Sequence, residues 1–417
     1  MPGSTNNPEI TRKLELILDK LNRIGVDSPT SLFGDLNTIE RTNIIDASSS
    51  FGTSEIRDEI TTTGSGSITE DPADSGELEL ATGTTQGSTI TVSTASFGRY
   101  TPGYSAQAGL GIRFPEAPSS GEVKWGYYDE NNGYYFGYDG DEEELFIARS
   151  DSGSERKVYR SEWNGRNIDN ALGFDWDVTD GSIFQIDFSW YGYGIIIFQL
   201  VQQSANTESH SDPKQKTVRL HALAINEETT TSDPNQPIRI EADNTNSTED
   251  IRVRVGGRQF SVFGEEPEEK RITADTKDSI TVPDNSWGHV MSWRRKQSND
   301  ANARLDAQGI TWSAGVTSKY AIVVGANLSG LNFTDPTLTN PNETLLEVSF
   351  DGSFDGIGDG TKQFEDHLNA GSVGNASGSS NVDFDIGFGQ NKIVSLVCYG
   401  TDGSGSAIAT MRLSEDW

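Results

Sequence analysis

The pattern that most constrains the fold is the alternation of apolar and polar residues along short segments. In one segment every second residue is a large apolar one: Phe184, Ile186, Phe188 and Trp190. Alternate side chains of a β-strand lie on one face of a sheet, so this spacing predicts a strand with one buried face. The stretch 191–194 has turn composition, and we expect it to lead the chain into a second strand over 195–198.

Similar strand patterns recur along most of the chain. Candidate strands lie at 218–224, 238–240, 287–293, 320–324, 345–350, 393–399 and 407–413. The apolar alternation on either side of Gly256 and Gly257 also predicts a β-hairpin. Long helical periodicity occurs only near the N-terminus. The predicted fold class is therefore all-β, with sandwich or jelly-roll domains and a short N-terminal helix.

The chain of 417 residues is too long for one ordinary hydrophobic core, which favours two β-rich domains. Composition sets the predicted boundaries: an N-terminal helix for assembly or docking (1–29), a Thr/Ser/Gly-rich spacer with short strands (30–96), an aromatic-rich β-domain (97–263), an acidic linker (264–279) and a C-terminal β-domain (280–417).

The N-terminal helix is predicted over residues 8–25. Asn7 is a suitable N-cap and Pro8 fits the first helical position. Apolar residues then recur at steps of 4, 3, 4 and 3: Ile10, Leu14, Ile17, Leu21 and Ile24. This spacing is typical of a coiled coil and predicts a homo-oligomer, although it lasts only about two heptads. Docking of the helix on its own domain or on a partner remains the alternative.

The formal net charge of -31 excludes whole classes of partner. Such a chain repels nucleic acid and anionic membranes, so we expect no nucleic-acid binding. Acidic, Lys-poor surfaces suit a protein that stays soluble in concentrated salt, and we interpret the source as halophilic. An acidic mesophilic protein is the alternative.

The beginning of the sequence, MPGSTNNPEI, lacks the basic and apolar regions of a signal peptide, and the longest aliphatic run is 195–198. We therefore expect neither export by its own signals nor membrane insertion. The expected site of synthesis is the cytoplasm.

Motifs for catalysis are not apparent in the sequence. The four His residues are scattered, and no metalloprotease, nucleophile-elbow or phosphate-loop pattern occurs. Acidic pairs such as Asp383 and Asp385 could serve a glycosidase, but pairs of this kind arise by chance in a chain with 63 acidic residues. We expect no enzyme, and a surface carbohydrate-active enzyme remains the minor alternative.

Asp351, Asp355 and Asp359 follow one another at four-residue steps on a Gly-rich segment. Ca²⁺ accepts carboxylate oxygens in flexible geometry, so these residues form a candidate Ca²⁺ site. Acidic turns between strands are the alternative explanation, and the spacing does not match an EF-hand.

The segment 124–141 concentrates aromatic residues around one Asp-Glu-Asn-Asn-Gly turn. The turn predicts a hairpin that places most of the rings in the core of a sandwich. Tyr128 and Tyr135 fall on the opposite face, where a second sheet, a neighbouring subunit or a sugar ring would have to cover them. We therefore predict a surface-binding site at Tyr128 and Tyr135.

Several segments follow one another in a characteristic order: 99–103, 111–114, the hairpin 125–138, 148–150 and 184–194. Together they resemble a β-module of structural proteins from tailed viruses and some large DNA viruses, in which a Phe-Gln-Ile-Asp-Phe strand leads into a Trp-x-Gly-x-Gly turn. Here Tyr191 separates Trp190 from Gly192. The resemblance covers roughly residues 97–201 and carries over no catalytic residue.

The resemblance implies a virion component, made in the host cytoplasm, and with the acidic composition it points to a tailed virus of a haloarchaeon. The function we expect is an oligomeric tail fibre or baseplate-associated protein. Its expected partners are other virion proteins and a host-surface glycan or S-layer. A capsid turret or decoration protein is the alternative.

Overall fold

The structure is a computed structural model. It describes residues 41–54, 56–71, 75–172, 174–189, 192–203, 215–224, 230–264, 271–296, 304–337, 340, 344–358, 360–368, 378–389 and 392–416. The predicted N-terminal helix, with Ile10, Leu14, Ile17, Leu21 and Ile24, lies outside the described residues. No helix among the described ranges is long and apolar enough to cross a membrane.

The first group of strands lies between residues 41 and 263. Its members are β1 (Arg41–Ser48), β2 (Asp58–Thr63), β3 (Ser67–Glu70), β4 (Leu78–Ala81), β5 (Thr89–Thr94), β6 (Ala106–Arg113), β7 (Glu122–Tyr128), β8 (Gly133–Asp139), β9 (Glu144–Asp151), β10 (Ser154–Tyr159), β11 (Ser182–Phe188), β12 (Ile196–Gln203), β13 (Gln215–Leu223), β14 (Ile238–Asp243) and β15 (Arg252–Phe263). A short helix, α1 (Ile168–Leu172), precedes β11.

The second group lies between residues 271 and 416. Its members are β16 (Arg271–Val282), β17 (Trp287–Arg295), β18 (Arg304–Ala314), β19 (Ser318–Val324), β20 (Asn327–Ser329), β21 (Leu346–Ser349), β22 (Ser353–Gly356), β23 (Thr361–Leu368), β24 (Gly378–Phe388), β25 (Val394–Gly400) and β26 (Gly405–Asp416). The described residues are thus predominantly strand, and the all-β prediction is confirmed.

The strands before residue 264 form a sandwich of two antiparallel sheets. Sheet I has the order β13-β12-β11-β6-β15-β4-β3, with β1 also paired to β15, and sheet II has the order β10-β9-β8-β7-β14-β5-β2. Alternate residues of both sheets face one shared core. For example, Trp125 of sheet II meets Phe184 of sheet I with 5.0 Å between ring centroids.

The alternating apolar residues at 184–188 form a strand with one buried face, as predicted. Phe184, Ile186 and Phe188 are all buried in the core, and β11 pairs with β12 in antiparallel register. Trp190, which completes the pattern in the sequence, lies outside the described residues.

The region predicted as a spacer, 30–96, contributes to both sheets of this sandwich. From 41 onwards it supplies β1, β3 and β4 to sheet I and β2 and β5 to sheet II. Leu78, Leu80, Ile90 and Val92 are core residues. These strands therefore belong to the packed domain, because their alternate apolar residues complete its core.

The predicted hairpin at Gly256 and Gly257 is wrong. Residues 252–263 form one continuous strand, β15, with a register shift against β6 between Val255 and Arg258. A two-residue hairpin turn needs positive φ angles, and neither glycine adopts one. The glycines instead lie at a β-bulge, which bends the strand without reversing it.

The strands after residue 271 form a second sandwich with its own core. Sheet III has the order β16-β26-β18-β24, sheet IV has the order β21-β17-β25-β19-β23, and β20 pairs with β22 separately. The two sheets meet where Trp312 of β18 stacks on Tyr320 of β19, with 5.6 Å between ring centroids. The acidic segment 264–279, predicted as a linker, overlaps β16, which begins at Arg271.

Candidate functional site

The aromatic hairpin forms as predicted from the sequence, with β7 and β8 paired so that Trp125 lies opposite Phe136 and Tyr127 opposite Tyr134. The Asp129 carboxylate closes the turn by accepting hydrogen bonds from the backbone N–H groups of Asn131 and Asn132. Five of its rings belong to the core between sheets I and II: Trp125, Tyr127, Tyr134, Phe136 and Tyr138. The core interpretation of these five rings is therefore correct.

Tyr128 and Tyr135 lie on the other face of sheet II. They form a separate small cluster with Phe146 and Ala148, and Tyr159 packs against it. The ring centroids of Tyr128 and Tyr135 are 4.5 Å apart with an interplanar angle of 36°. The two residues are diagonal neighbours across the hairpin, a placement that lets aromatic side chains touch.

Two glycines make room for the rings on this outer face. Gly126 lies opposite Tyr135, and a Cβ atom added there would be 2.6 Å from the Tyr135 Cα atom. Gly137 lies opposite Phe146, and a Cβ atom there would be 2.1 Å from the ring. The absence of side chains at these two positions therefore permits the close packing of the cluster.

Charged side chains of the same sheet cover the rings. The Arg239 guanidinium carbon is 5.5 Å from the centroid of the Tyr128 ring, and the Lys124 ammonium nitrogen is 5.7 Å from that of Tyr135. As a result only 4% of Tyr128 and 3% of Tyr135 is exposed. The sequence alone predicts that a second sheet, a neighbouring subunit or a sugar ring covers the two rings. That prediction is wrong, because side chains of the same sheet cover them.

Carboxylates hold both cations in place. Glu241 lies 2.6 Å from the Arg239 guanidinium, and Lys124 lies 2.8 Å from Glu122 and 3.4 Å from Glu155. Glu155 also accepts a hydrogen bond from the Tyr135 hydroxyl. These partly buried ion pairs order the side chains that surround the two tyrosines.

The same side chains enclose a pocket of about 320 Å³, which we call the outer pocket. It is lined by Lys124, Tyr128, Asp129, Glu130, Tyr135, Ser150, Gly153, Glu155, Arg239 and Glu241. Its wall therefore combines two aromatic residues with two cations and four carboxyl groups. Small-molecule sites are usually lined mainly by apolar side chains, so a wall this rich in charged groups favours a polar ligand.

Two buried donors of the outer pocket are unsatisfied. The Tyr128 hydroxyl and the Arg239 Nε atom have no hydrogen-bond partner of acceptable geometry among the described residues. Leaving a buried donor unpaired costs about 1 to 3 kcal/mol. An oxygen atom that accepted a hydrogen bond from either donor would remove this cost.

The surroundings of the outer pocket shift the pKa values of Tyr128 and Glu155. Burial raises the pKa of Tyr128 well above its usual value, so its hydroxyl keeps the proton. Burial opposes ionisation of Glu155, but the hydrogen bond from Tyr135 and the charges of Lys124 and Lys157 together lower its pKa. Glu155 is therefore an acceptor throughout the neutral pH range.

Most of the outer pocket was not predicted from the sequence. Arg239 and Glu241 come from β14, more than a hundred residues after the hairpin, and reach it because β14 pairs with β7. The alternation over 238–242 does predict that these two residues share a polar face. It does not predict which strand lies beside them.

The other predicted site residues are only partly described by the structure. Asp351 and Asp355 are exposed, and Asp359 lies outside the described residues. Within the ranges that the structure describes, no group of three His, Cys, Asp or Glu side chains could hold a metal ion. The Ca²⁺ site stays a prediction, as does assembly through the N-terminal apolar stripe.

Comparisons identify no family for this chain. No family model and no curated protein sequence matches it. Among solved structures it is similar to botulinum neurotoxin type C, whose cell entry is described as dependent upon two ganglioside molecules, with 14% identity, a TM-score of 0.31, and coverage of 61% of this chain and 57% of the toxin chain.

Two further similar structures are a lectin-like domain and a carbohydrate recognition domain. A legume lectin-like domain from Entamoeba histolytica has 14% identity, a TM-score of 0.29, and coverage of 48% of this chain and 88% of the domain. The carbohydrate recognition domain of Emp47p has 11% identity, a TM-score of 0.32, and coverage of 54% and 98%.

Proposed function

We propose that this chain is a structural protein of a virus particle that binds glycans on the host surface, as an oligomeric tail fibre or baseplate-associated protein. The outer pocket carries the binding part of this proposal. It joins a buried aromatic pair to a set of fixed charges and two unsatisfied donors. The receptor would be a host-surface glycan or S-layer.

The chemistry of the outer pocket suits a glycan better than a hydrophobic ligand. Its wall is dominated by charged and polar groups, and the two tyrosine rings are nearly covered. A ligand must therefore be recognised mainly through hydrogen bonds. Sugars offer many hydroxyl groups at fixed spacing, and each can both donate and accept.

The virion part of the proposal has different support. It rests on the resemblance of residues 97–201 to a β-module of viral structural proteins. The apolar stripe within 8–25 supports an oligomer, and an oligomer would present several outer pockets to one surface. A chain without a recognised catalytic motif also fits a structural role better than an enzymatic one.

Immunogold electron microscopy tests the location. Antibodies against residues 280–417 would be applied to intact particles from infected cells, with antibody pre-absorbed on the purified protein as the control. We expect label at the tail or its tip. Label over the head would favour the capsid decoration alternative, and intact particles without label would contradict an exposed virion role.

A further inference from the structure

The outer pocket contains unsatisfied donors and fixed acceptors close together. The Tyr128 hydroxyl and the Arg239 Nε atom are buried donors without partners among the described residues. The carboxylates of Glu155 and Glu241 line the same pocket and are fixed by Lys124 and Arg239 respectively. A complementary ligand must therefore accept hydrogen bonds at some positions and donate them at others.

The geometry points to a neutral, polyhydroxylated sugar ring as the ligand of the outer pocket. Neighbouring hydroxyl groups of such a ring can accept from Tyr128 and Arg239 and donate to Glu155 and Glu241. This inference rests on the proposed glycan-binding function and specifies its ligand class.

Charged sugars fit this pocket less well. Four carboxyl groups line it, at Asp129, Glu130, Glu155 and Glu241, and they would repel an acidic sugar. The positions where a cation could lie over the tyrosine rings are held by Arg239 and Lys124. A neutral ring avoids both conflicts.

The burial of the rings limits the affinity. With 4% and 3% of their surfaces exposed, Tyr128 and Tyr135 cannot provide a broad stacking platform. Hydrogen bonds exchanged with water give modest net energy, so one ring should bind with a dissociation constant on the order of millimolar. Tyr128 contributes its hydroxyl, and Tyr135 orients Glu155 through their hydrogen bond.

The test uses the full chain and three kinds of trisaccharide. Neutral probes are mannotriose and cellotriose, the acidic probe is trigalacturonic acid, and the cationic probe is chitosan trimer. Binding is measured by saturation-transfer NMR and calorimetric titration in the wild type and in Tyr128→Phe. This substitution removes only the unsatisfied hydroxyl, and melting temperature verifies that the variant folds.

The matched control is Tyr134→Phe. Tyr134 lies on the neighbouring strand but faces the core, and its hydroxyl also lacks a partner among the described residues. The Tyr134→Phe substitution removes one hydroxyl group from the same sheet and leaves the lining of the outer pocket unchanged. Binding in this variant should equal that of the wild type.

We expect a neutral trisaccharide to bind, and Tyr128→Phe to weaken that binding three- to tenfold. If only the acidic or cationic probe binds, and Tyr128→Phe weakens it, the neutral ligand class is overturned while glycan binding stands. If Tyr128→Phe binds a neutral probe as the wild type does, the outer pocket is not its site. If no probe binds, the inference and the glycan-binding function both fail.

Discussion

His289 on β17 couples the stability of the second sandwich to pH. Its Nε2 atom lies 2.8 Å from the Ser292 hydroxyl, and burial, with a smaller effect from Lys277, lowers its pKa to about 4 despite the opposing charge of Asp351. The unfolded chain binds this proton near pH 6.5. Between the two values the unfolded state binds more protons than the folded state.

We therefore predict that the stability provided by neutral His289 is fully present above pH 6.5 and is lost as the pH falls towards 4. The loss amounts to at most about 3 kcal/mol. Urea unfolding at pH 7.5 and pH 4.5 would measure it, with His289→Gln as the control that cannot titrate. Equal losses in the wild type and the variant would show that His289 is not the responsible group.

For single residues, the sequence predicted the face of the strand on which a side chain lies. It did not predict which side chains from other strands surround it. Alternation placed Tyr128 and Tyr135 on the face opposite Trp125, as the structure has them. It could not predict that Arg239 and Lys124 cover the two rings. That arrangement depends on the pairing of β14 with β7, which is a long-range contact and leaves no local signal.

At the scale of single strands, glycines in similar positions have different roles. A Cβ atom at Gly126 would lie 2.6 Å from backbone atoms of β8, whereas one at Gly111 would have no neighbour closer than 3.6 Å. Neither glycine has a positive φ angle. The difference between them is therefore one of space and not of backbone conformation.

We predict that Gly126→Ala destabilises the first sandwich by about 1 to 3 kcal/mol, because the backbone must move to admit the methyl group. Gly111→Ala should be neutral or stabilising by up to about 1 kcal/mol, because it reduces the freedom of the unfolded chain. Denaturant unfolding of both variants compares them directly. Equal effects would contradict the packing described for β7 and β8.

Strand β16 shows why residues 271–279 were not predicted as a strand. Its buried residues include Thr273 and Asp275, which are 1% exposed, whereas Ile272 is 59% exposed. Asp275 accepts hydrogen bonds from the backbone and the hydroxyl of Thr337, and Thr273 contacts Glu415. A strand that buries polar side chains lacks the apolar alternation on which the prediction relied.

For the whole molecule, charge is the dominant property. The formal net charge of -31 favours unfolding through self-repulsion. Salt reduces this repulsion because the Debye length falls from about 10 Å at 0.1 M to about 3 Å at 1 M.

We therefore predict that the melting temperature rises steadily with KCl between 0.1 and 1 M. Differential scanning calorimetry at constant pH would measure it, and a variant with several exposed acidic residues changed to Asn or Gln should respond less. A melting temperature that is flat or falls with salt would contradict the halophilic interpretation.

Assembly would determine the strength of surface attachment. One outer pocket is expected to bind weakly, but linked copies that engage one surface gain avidity without any new contact. The outer pocket lies in the first of two sandwiches with separate cores, so each linked copy would contribute one such pocket.

Binding of a neutral sugar in the outer pocket is tested by the crystal structure of the full chain soaked with mannotriose and with cellotriose. We expect a sugar ring within hydrogen-bond distance of the Tyr128 hydroxyl and the Glu155 carboxylate, and a lower occupancy of that ring in Tyr128→Phe at the same concentration. A sugar bound elsewhere, with only water in the outer pocket, would contradict this expectation.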